Sequence, residues 1–262
     1  GRYTITGTTR YEGTNRLGRT RKARWLPTWN ISGAWNAHSE DFFEKQHLLS
    51  HLTLKGSYSL VGVAPSWVTN SRAIIYSRAA WRPSAGQSEN RNYIGSFENE
   101  DLTYEKKHEL NFGVDMGLLK NRLNIAADIY WRNNFDLIGA AYTIGGTRWG
   151  NVASMKSHGF ELSVSTKNIQ SKDFSWTTDF IFGSTFNKVT ELDTKRNMFN
   201  FLTGNGFARQ GYPVRSLFSI PFTGLDDEGF PTFMVNGKEV TRRNYRDINF
   251  QQVDDLDFLK YE

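Results

Sequence analysis

The sequence predicts an all-β protein: an antiparallel transmembrane β-barrel segment with long loops at one end, about nine strands of a larger barrel. Three observations predict it. The first is strict alternation of apolar and polar residues in four runs between Leu110 and Phe182. The second is a chain too polar for helical spans yet rich in aromatics. Mean hydropathy is −0.56, no stretch approaches 18 apolar residues, and 15% of residues are Phe, Trp or Tyr. A barrel strand needs only about 9–11 residues, half of them apolar, so low hydropathy does not exclude a membrane wall. The third is that connections alternate between long and short.

Strands are expected near 2–12, 24–37, 51–62, 104–117, 122–138, 156–169, 174–190, 212–225 and 230–236. The first opens the chain directly, Arg2 to Tyr11, and both ends of the sequence read as cut from a longer polypeptide. In the second, Trp25, Trp29, Ile31, Gly33 and Trp35 share one parity, Thr28, Asn30, Ser32 and Asn36 the other. Pro27 stands near its start, where a missing ladder donor is tolerated. The fourth places Leu110, Phe112, Val114 and Met116 against Glu109, Asn111, Gly113 and Asp115. The fifth sets Leu123, Ile125, Ala127, Ile129 and Trp131 against Asn124, Ala126, Asp128, Tyr130 and Arg132. Phe160, Leu162 and Val164 oppose Glu161, Ser163 and Ser165; Phe174, Trp176, Thr178, Phe180 and Phe182 oppose Ser175, Thr177, Asp179 and Ile181. A strand with one apolar and one charged face suits a wall between lipid and a wet lumen.

Segments 13–23, 63–103, 139–155 and 191–211 are long and rich in Gly, Asn, Ser and Arg, whereas 118–121, 170–173 and 226–229 are tight turns. Up-and-down barrels place every second connection at the same end, short turns in the periplasm and long loops outside. Segment 38–50 breaks the parity; Ser39 with Glu40 and Asp41 behind it predicts a short capped helix there.

The net charge is +5, and its densest cluster is Arg16, Arg19, Arg21, Lys22 and Arg24. It reads either as a solvated connecting loop or as a contact with anionic lipid or lipopolysaccharide in the outer leaflet. No helical recognition pattern or RNP-type motif accompanies it, so nucleic acid is not an expected partner. The chain has no cysteine, which excludes a disulfide framework and thiol chemistry.

The segment from Tyr104 to Arg132, with its Asn121-Arg122 turn and its Asp128-Ile129-Tyr130 ending, resembles the barrel of SusC/RagA-type TonB-linked outer-membrane transporters of Bacteroidetes. Further similar elements keep their order. They are Arg10 to Gly18, Leu26-Pro27-Thr28, Ser57-Tyr58, Asp136-Leu137-Ile138, Gly150-Asn151-Val152, and Gly159-Phe160-Glu161-Leu162. Trp176, Asn187-Lys188-Val189, Gly211-Tyr212-Pro213 and Gly224 to Pro231 continue the series. Glu12 and Ser59 depart from the family pattern, standing for Asp and Gly. The resemblance implies that residues 1–262 are part of a 22-stranded barrel in the bacterial outer membrane, the plug domain lying outside this chain. It implies energy-coupled import of oligosaccharides or peptides, with TonB acting through that plug and a SusD-like surface lipoprotein as partner.

No catalytic constellation or cofactor motif is present, so neither an enzyme nor a bound cofactor or metal is expected. His47 and His51 have i,i+4 spacing without a third ligand; Asp226, Asp227 and Glu228 before Gly229 read as a turn; Asp254, Asp255 and Asp257 read as a solvated loop. Asn30-Ile31-Ser32 matches a glycosylation sequon by chance, inside a strand. The candidate ligand contacts are loop aromatics and a cation: Trp67, Tyr76, Trp81, Arg91, Tyr93, Trp149 and Phe199. Flat aromatic faces stack on sugar rings or peptide groups. Two rival readings stand beside the importer: a soluble carbohydrate-binding β-sandwich, and a passive porin or adhesin barrel.

Overall fold

The computed structural model describes residues 1–43, 48–68, 70, 73–82, 87–143, 146–194, 201, 207–235, 237–241, 244 and 259–261. For 73–82, 87–93, 95, 142–143, 260 and 261 it describes the backbone alone. The chain divides into two compact units, Gly1–Asn187 and Lys188–Glu262.

The first unit is built on one antiparallel sheet. β1 (Tyr3–Gly13), β2 (Trp25–Asn36), β3 (Leu49–Val63), β6 (Glu105–Leu118), β7 (Leu123–Thr143) and β8 (Gly146–Gln170) pair in that order, and β9 (Ser175–Leu192) pairs with β8. Between β3 and β6 a further hairpin, β4 (Ala73–Arg82) and β5 (Gln87–Phe97), reaches the same sheet. It does so through a parallel pairing of Phe97 with Arg148. Among the described residues the sheet is a single open layer, with β1 and β9 at the two ends of the wall. A soluble sandwich needs two packed layers, so the sandwich reading is set aside.

The register turns the alternation into two faces. Ile5, Gly33, Gly56, Phe112, Ile129 and Phe160 form one row across six strands. The next row is Gly7, Ile31, Tyr58, Leu110, Trp131 and His158. Ile5, Ile31, Phe112, Ile129, Trp131 and Phe160 are all exposed on this face. Opposite parity gives Thr4, Ala34, Lys55, Gly113, Asp128 and Glu161, then Thr8, Asn30, Ser59, Glu109, Arg132 and Ser157. Charges on that face are paired: Arg132 Nε lies 3.0 Å from Glu109 Oε2, Lys107 Nζ 2.5 Å from the same oxygen, and Lys55 Nζ 2.5 Å from Asp115 Oδ2. Aliphatic surface turned outward and ion pairs turned inward reverse a water-soluble protein's arrangement and match a lumen wall.

Seven expected strands appear close to their expected places, but three segments differ. Residues 63–103, read as a loop, contain the β4–β5 hairpin. Residues 139–155, also read as a loop, continue β7 and β8 as a paired extension, with Gly139 opposite Gly150 and Ala140 opposite Trp149. That extension follows a bulge at Asp136, whose φ is 56°, so the period slips and the small residues beyond it look turn-like. The third difference lies in 212–236. The second unit forms β10 (Phe218–Ser219), paired with β14 (Lys260–Tyr261), and a separate three-stranded sheet of β11 (Phe222–Leu225), β12 (Pro231–Val235) and β13 (Lys238–Val240). Strands of two to five residues are too short to cross a bilayer. Pro221 and Pro231 help to stop the ladder. The Asp226 carboxylate caps its turn by accepting the Glu228 and Phe230 amides at 3.0 and 2.8 Å, and Gly229 supplies φ +81°.

At the short-turn end, β6 and β7 are joined through Leu119, Lys120 and Asn121, all left-handed at φ 51, 58 and 60°. The strain is held by cross-strand bonds: the Leu119 amide to Leu48 O at 3.0 Å, the Asn121 amide to Ser50 Oγ at 3.0 Å, and Asn121 Oδ1 to His51 Nδ1 at 3.0 Å. His51 is thus part of a turn clamp, while its expected partner His47 lies outside the described residues. Ser39, expected as a helix cap, is the last residue of a 3-10 turn, Ala37–Ser39, and residues 44–47 of the expected helical segment lie outside the described residues.

Beside that turn Glu40 gathers three partners: Trp35 Nε1 and Tyr3 Oη donate at 3.1 and 2.9 Å, and Arg2 Nη1 lies at 3.4 Å. The Trp35 bond first, then the Tyr3 bond, holds its carboxyl below the usual carboxylate value of 4.5, with Arg2 adding a smaller pull. A depressed folded value means the contribution is present above the ordinary value and lost as pH falls through the lowered one. Acid titration of the full-length protein is expected to alter Trp35 fluorescence below pH 4.5, relative to a Glu40→Gln variant. Identical titration curves for the two proteins would refute the assignment.

Candidate functional site

The long-loop end is where the chain builds a core. The β1–β2 connection folds inward at Leu17, which is buried with Leu26, Val68, Leu102, Tyr104 and Ile138. Gly18 allows this approach: a Cβ there would overlap the Glu100 carbonyl. Its amide bonds Leu102 O at 2.8 Å, and the Arg19 amide bonds Glu100 O at 2.9 Å. Thr20 then caps the one-turn helix α1 (Arg21–Arg24), accepting from the Ala23 amide.

The arginines of this connection hold it in place. Arg19 grips Glu98 with two bonds of 2.7 Å, Arg24 Nε donates to Gly18 O at 2.8 Å, and Arg16 donates to Ser66 O. Arg21 and Lys22 stay exposed on α1. Three of the five cations of the basic cluster, Arg16, Arg19 and Arg24, thus fasten the connection itself, which a residue count along the sequence does not distinguish. Tyr104 closes the underside, its hydroxyl donating to Arg24 O at 3.2 Å; burial, then the charge of Glu12, pushes its phenol above the usual value.

Two asparagines lock the next layer. Asn99 Nδ2 donates to Trp149 O at 2.9 Å, and its backbone exchanges two bonds with the Asn70 amide, at 2.9 and 2.8 Å. Asn151 accepts from the Thr103 amide at 3.0 Å and donates to Thr103 O at 3.0 Å and Asp136 O at 2.6 Å. It ties the β3–β6 connection to the bulge of β7. Lys106 Nζ meets Asp136 Oδ2 at 2.6 Å, and Glu105 Oε1 accepts the Ile138 amide at 2.9 Å. Asn151 and Asp136 belong to ordered sequence elements named above, but only the fold reveals that they meet.

On this platform stand two of the seven expected ligand contacts. Trp149 is half-buried and packs on the core; Trp67 stands edge-on to it, ring centroids 5.1 Å apart at 71°, and is 58% exposed. Tyr76, Trp81, Arg91 and Tyr93 lie on β4 and β5, where Tyr76 is opposite Tyr93 and Arg78 opposite Arg91; their side chains are outside the described residues. Phe199 is outside them altogether, as are Asp254, Asp255 and Asp257.

An open sheet with a paired-charge inner face, an apolar outer face and a loop platform at one end defines a wall segment of a transmembrane β-barrel. The chain belongs to the TonB dependent receptor-like β-barrel family, whose model matches residues 1–253. Members of this family are outer-membrane β-barrels. The chain is 25% identical over 242 residues to TonB-dependent receptor P3 of Formosa agariphila, covering 88% of the chain and 24% of the receptor. It is 26% identical over 199 residues to TonB-dependent receptor SusC of Bacteroides thetaiotaomicron, covering 73% and 20%. The fold matches the RagAB peptide importer in its closed-closed state at TM-score 0.76 and 23% identity, over 99% of the chain and 28% of that structure's chain. The chain thus spans a quarter or less of the curated relatives it matches.

Proposed function

We propose that the chain forms part of the barrel wall of an energy-coupled outer-membrane importer, and that Trp67, braced by Trp149, is a ligand contact at its outer mouth. The observation that carries this reading is an exposed indole standing edge-on to Trp149, which packs on the buried core at the long-loop end. The cargo is an oligosaccharide or a peptide, both of which stack on flat aromatic faces. A plug domain contacting TonB, and a SusD-like lipoprotein over the mouth, complete the machine. The relatives named SusC and RagAB support that reading.

In the full-length transporter, Trp67→Ala is expected to lower affinity for the imported ligand about fivefold, the worth of one aromatic contact at about 1 kcal/mol. Thermal stability should stay unchanged, because the side chain is 58% exposed. Trp149→Ala should lower both. Uptake that continues in cells lacking TonB would sink the importer and favour the passive porin reading; unaltered affinity in Trp67→Ala would remove the site alone.

A further inference from the structure

The outward face changes character along the strands. Its lower rows are wholly apolar: Tyr3, Trp35, Leu54, Val114, Ala127 and Leu162 make one of them. Towards the long-loop end the rows become aromatic and basic. Tyr58 stacks on His108 at 5.6 Å and shares a 3.1 Å hydrogen bond with its Nδ1; His108 stacks on Phe135 at 5.6 Å; His158 stacks on Phe186 at 5.6 Å. Register puts Lys156 in the row of Trp29, Leu60, His108 and Asn133. Lys106, one row further on, is already occupied by Asp136. Lys156 has no ion-pair partner among the described residues, and it is exposed.

These side chains enclose a space. A groove of about 390 Å³ lies between Tyr58, His108, Trp131, Asn133, Lys156 and His158. Directly below it along β6, β7 and β8 a second groove of about 350 Å³ runs over Ala127, between Leu54, Val114 and Phe160. Phe112 and Trp131, 6.4 Å apart and edge-on, mark the step between them. From the row of Leu52 up to that of Lys156, the outward positions paired across β1 to β8 hold no Asp or Glu. A cationic, hydrogen-bonding cup above a dry trough is complementary to an amphiphile with an anionic head and an acyl tail.

We propose that this pair of grooves is a binding site for a phosphate-bearing lipid of the outer leaflet. Lys156 and the imidazoles of His108 and His158 face its phosphate, and one acyl chain lies over Ala127. The inference rests on reading the chain as an outer-membrane wall, but not on what the barrel imports. The site is separate from the basic cluster of the β1–β2 connection, where Arg16, Arg19 and Arg24 are engaged in bonds of their own.

The test uses the full-length transporter, stripped of lipid in a neutral detergent. Native mass spectrometry then follows binding of monophosphorylated lipid A, its dephosphorylated form, and inorganic phosphate. The phosphorylated lipid is expected to bind about tenfold more tightly than the dephosphorylated one, and inorganic phosphate should not displace it. Lys156→Glu, at an exposed position, should cost about tenfold by reversing one interfacial charge, with the thermal midpoint unchanged. Ala127→Phe should weaken both lipids by filling the trough. Lys172→Gln, at the opposite end of the strands, should change nothing. Equal binding of both lipids, displacement by inorganic phosphate, or an unaffected Lys156→Glu variant would overturn the site. So would loss of a dimer in place of a lipid, since a second copy would then be the occupant. Uptake measured on the same variants is independent: an importer that fails in uptake leaves the lipid result standing.

Discussion

Gly159→Val is expected to be the most damaging single change in the wall. Tyr130 of β7 is 3% exposed and lies across Gly159 of β8 to reach Thr185 of β9, where the two hydroxyls meet at 2.6 Å. A Cβ on Gly159 would overlap the Tyr130 hydroxyl end and approach Ser184 O to 2.8 Å. The ring cannot retreat cheaply, because the Arg132 guanidinium stacks on it 3.8 Å from its centre while also bonding Glu109. Overpacking costs about 1–3 kcal/mol, and a displaced ring forfeits a hydrogen bond of about 1 kcal/mol and the cation–π contact besides. The loss should therefore be about 3 kcal/mol or more. It is measured by urea unfolding of the full-length barrel in detergent micelles, with heat-modifiable gel mobility as a second readout. Tyr130→Phe should lose only about 1 kcal/mol, the bond to Thr185. Gly159→Val combined with Tyr130→Ala should be less damaging than the two effects summed, because removing the ring vacates the space that valine needs. A Gly159→Val barrel with the parent's unfolding midpoint would refute this account.

The second large effect falls on the loop platform rather than the wall. Asn151→Ala leaves the Thr103 amide and carbonyl and the Asp136 carbonyl without their partner. Three stranded backbone groups should weaken docking of the β3–β6 connection by about 2–4 kcal/mol. Asn151→Asp is the sharper variant. A carboxylate can still accept from the Thr103 amide, but it repels the two carbonyls to which the amide nitrogen donates. The expected result is that limited proteolysis opens residues 98–104 in both variants, while the unfolding midpoint of the barrel is unchanged. Ligand affinity should fall with them, because Trp149 sits two residues from the clamp. Protease resistance equal to the parent in Asn151→Asp would show that the bonds are not what docks the loop.

Much of this was legible beforehand, for a physical reason. Alternation at period two is a property of each strand by itself, so Leu110 to Met116 or Leu123 to Trp131 announce their faces without knowing their neighbours. The tight turns at Lys120-Asn121 and Asp226 to Gly229 were legible for the same reason, since Asn, Asp and Gly bring their own turn chemistry. The β4–β5 hairpin was not: Arg72, Arg78, Arg82 and Arg91 crowd the segment with charge, and its pairing to the sheet depends on Phe97 meeting Arg148 far along the chain. Residues 212–225 alternated well enough to be read as a wall strand. Three prolines, at 213, 221 and 231, and the short span between turns divide the region into strands too brief to cross a membrane. Of the expected ligand contacts, Trp67 lies outside the strands and Trp149 on β8, and their 5.1 Å contact depends on the 81 residues between them folding back.

The sequence by itself determined the two-faced strands, the long and short ends, and which acids share the charged face, because all of these follow from local period and turn chemistry. Only the tertiary structure decided how Arg16, Arg19 and Arg24 are used, that Asn151 is a clamp, that Gly159 makes room for Tyr130, and that Lys156 and two histidines share one groove. Each of those depends on register between strands distant in the chain. Register is set by cross-strand packing and bulges, quantities that no single segment carries.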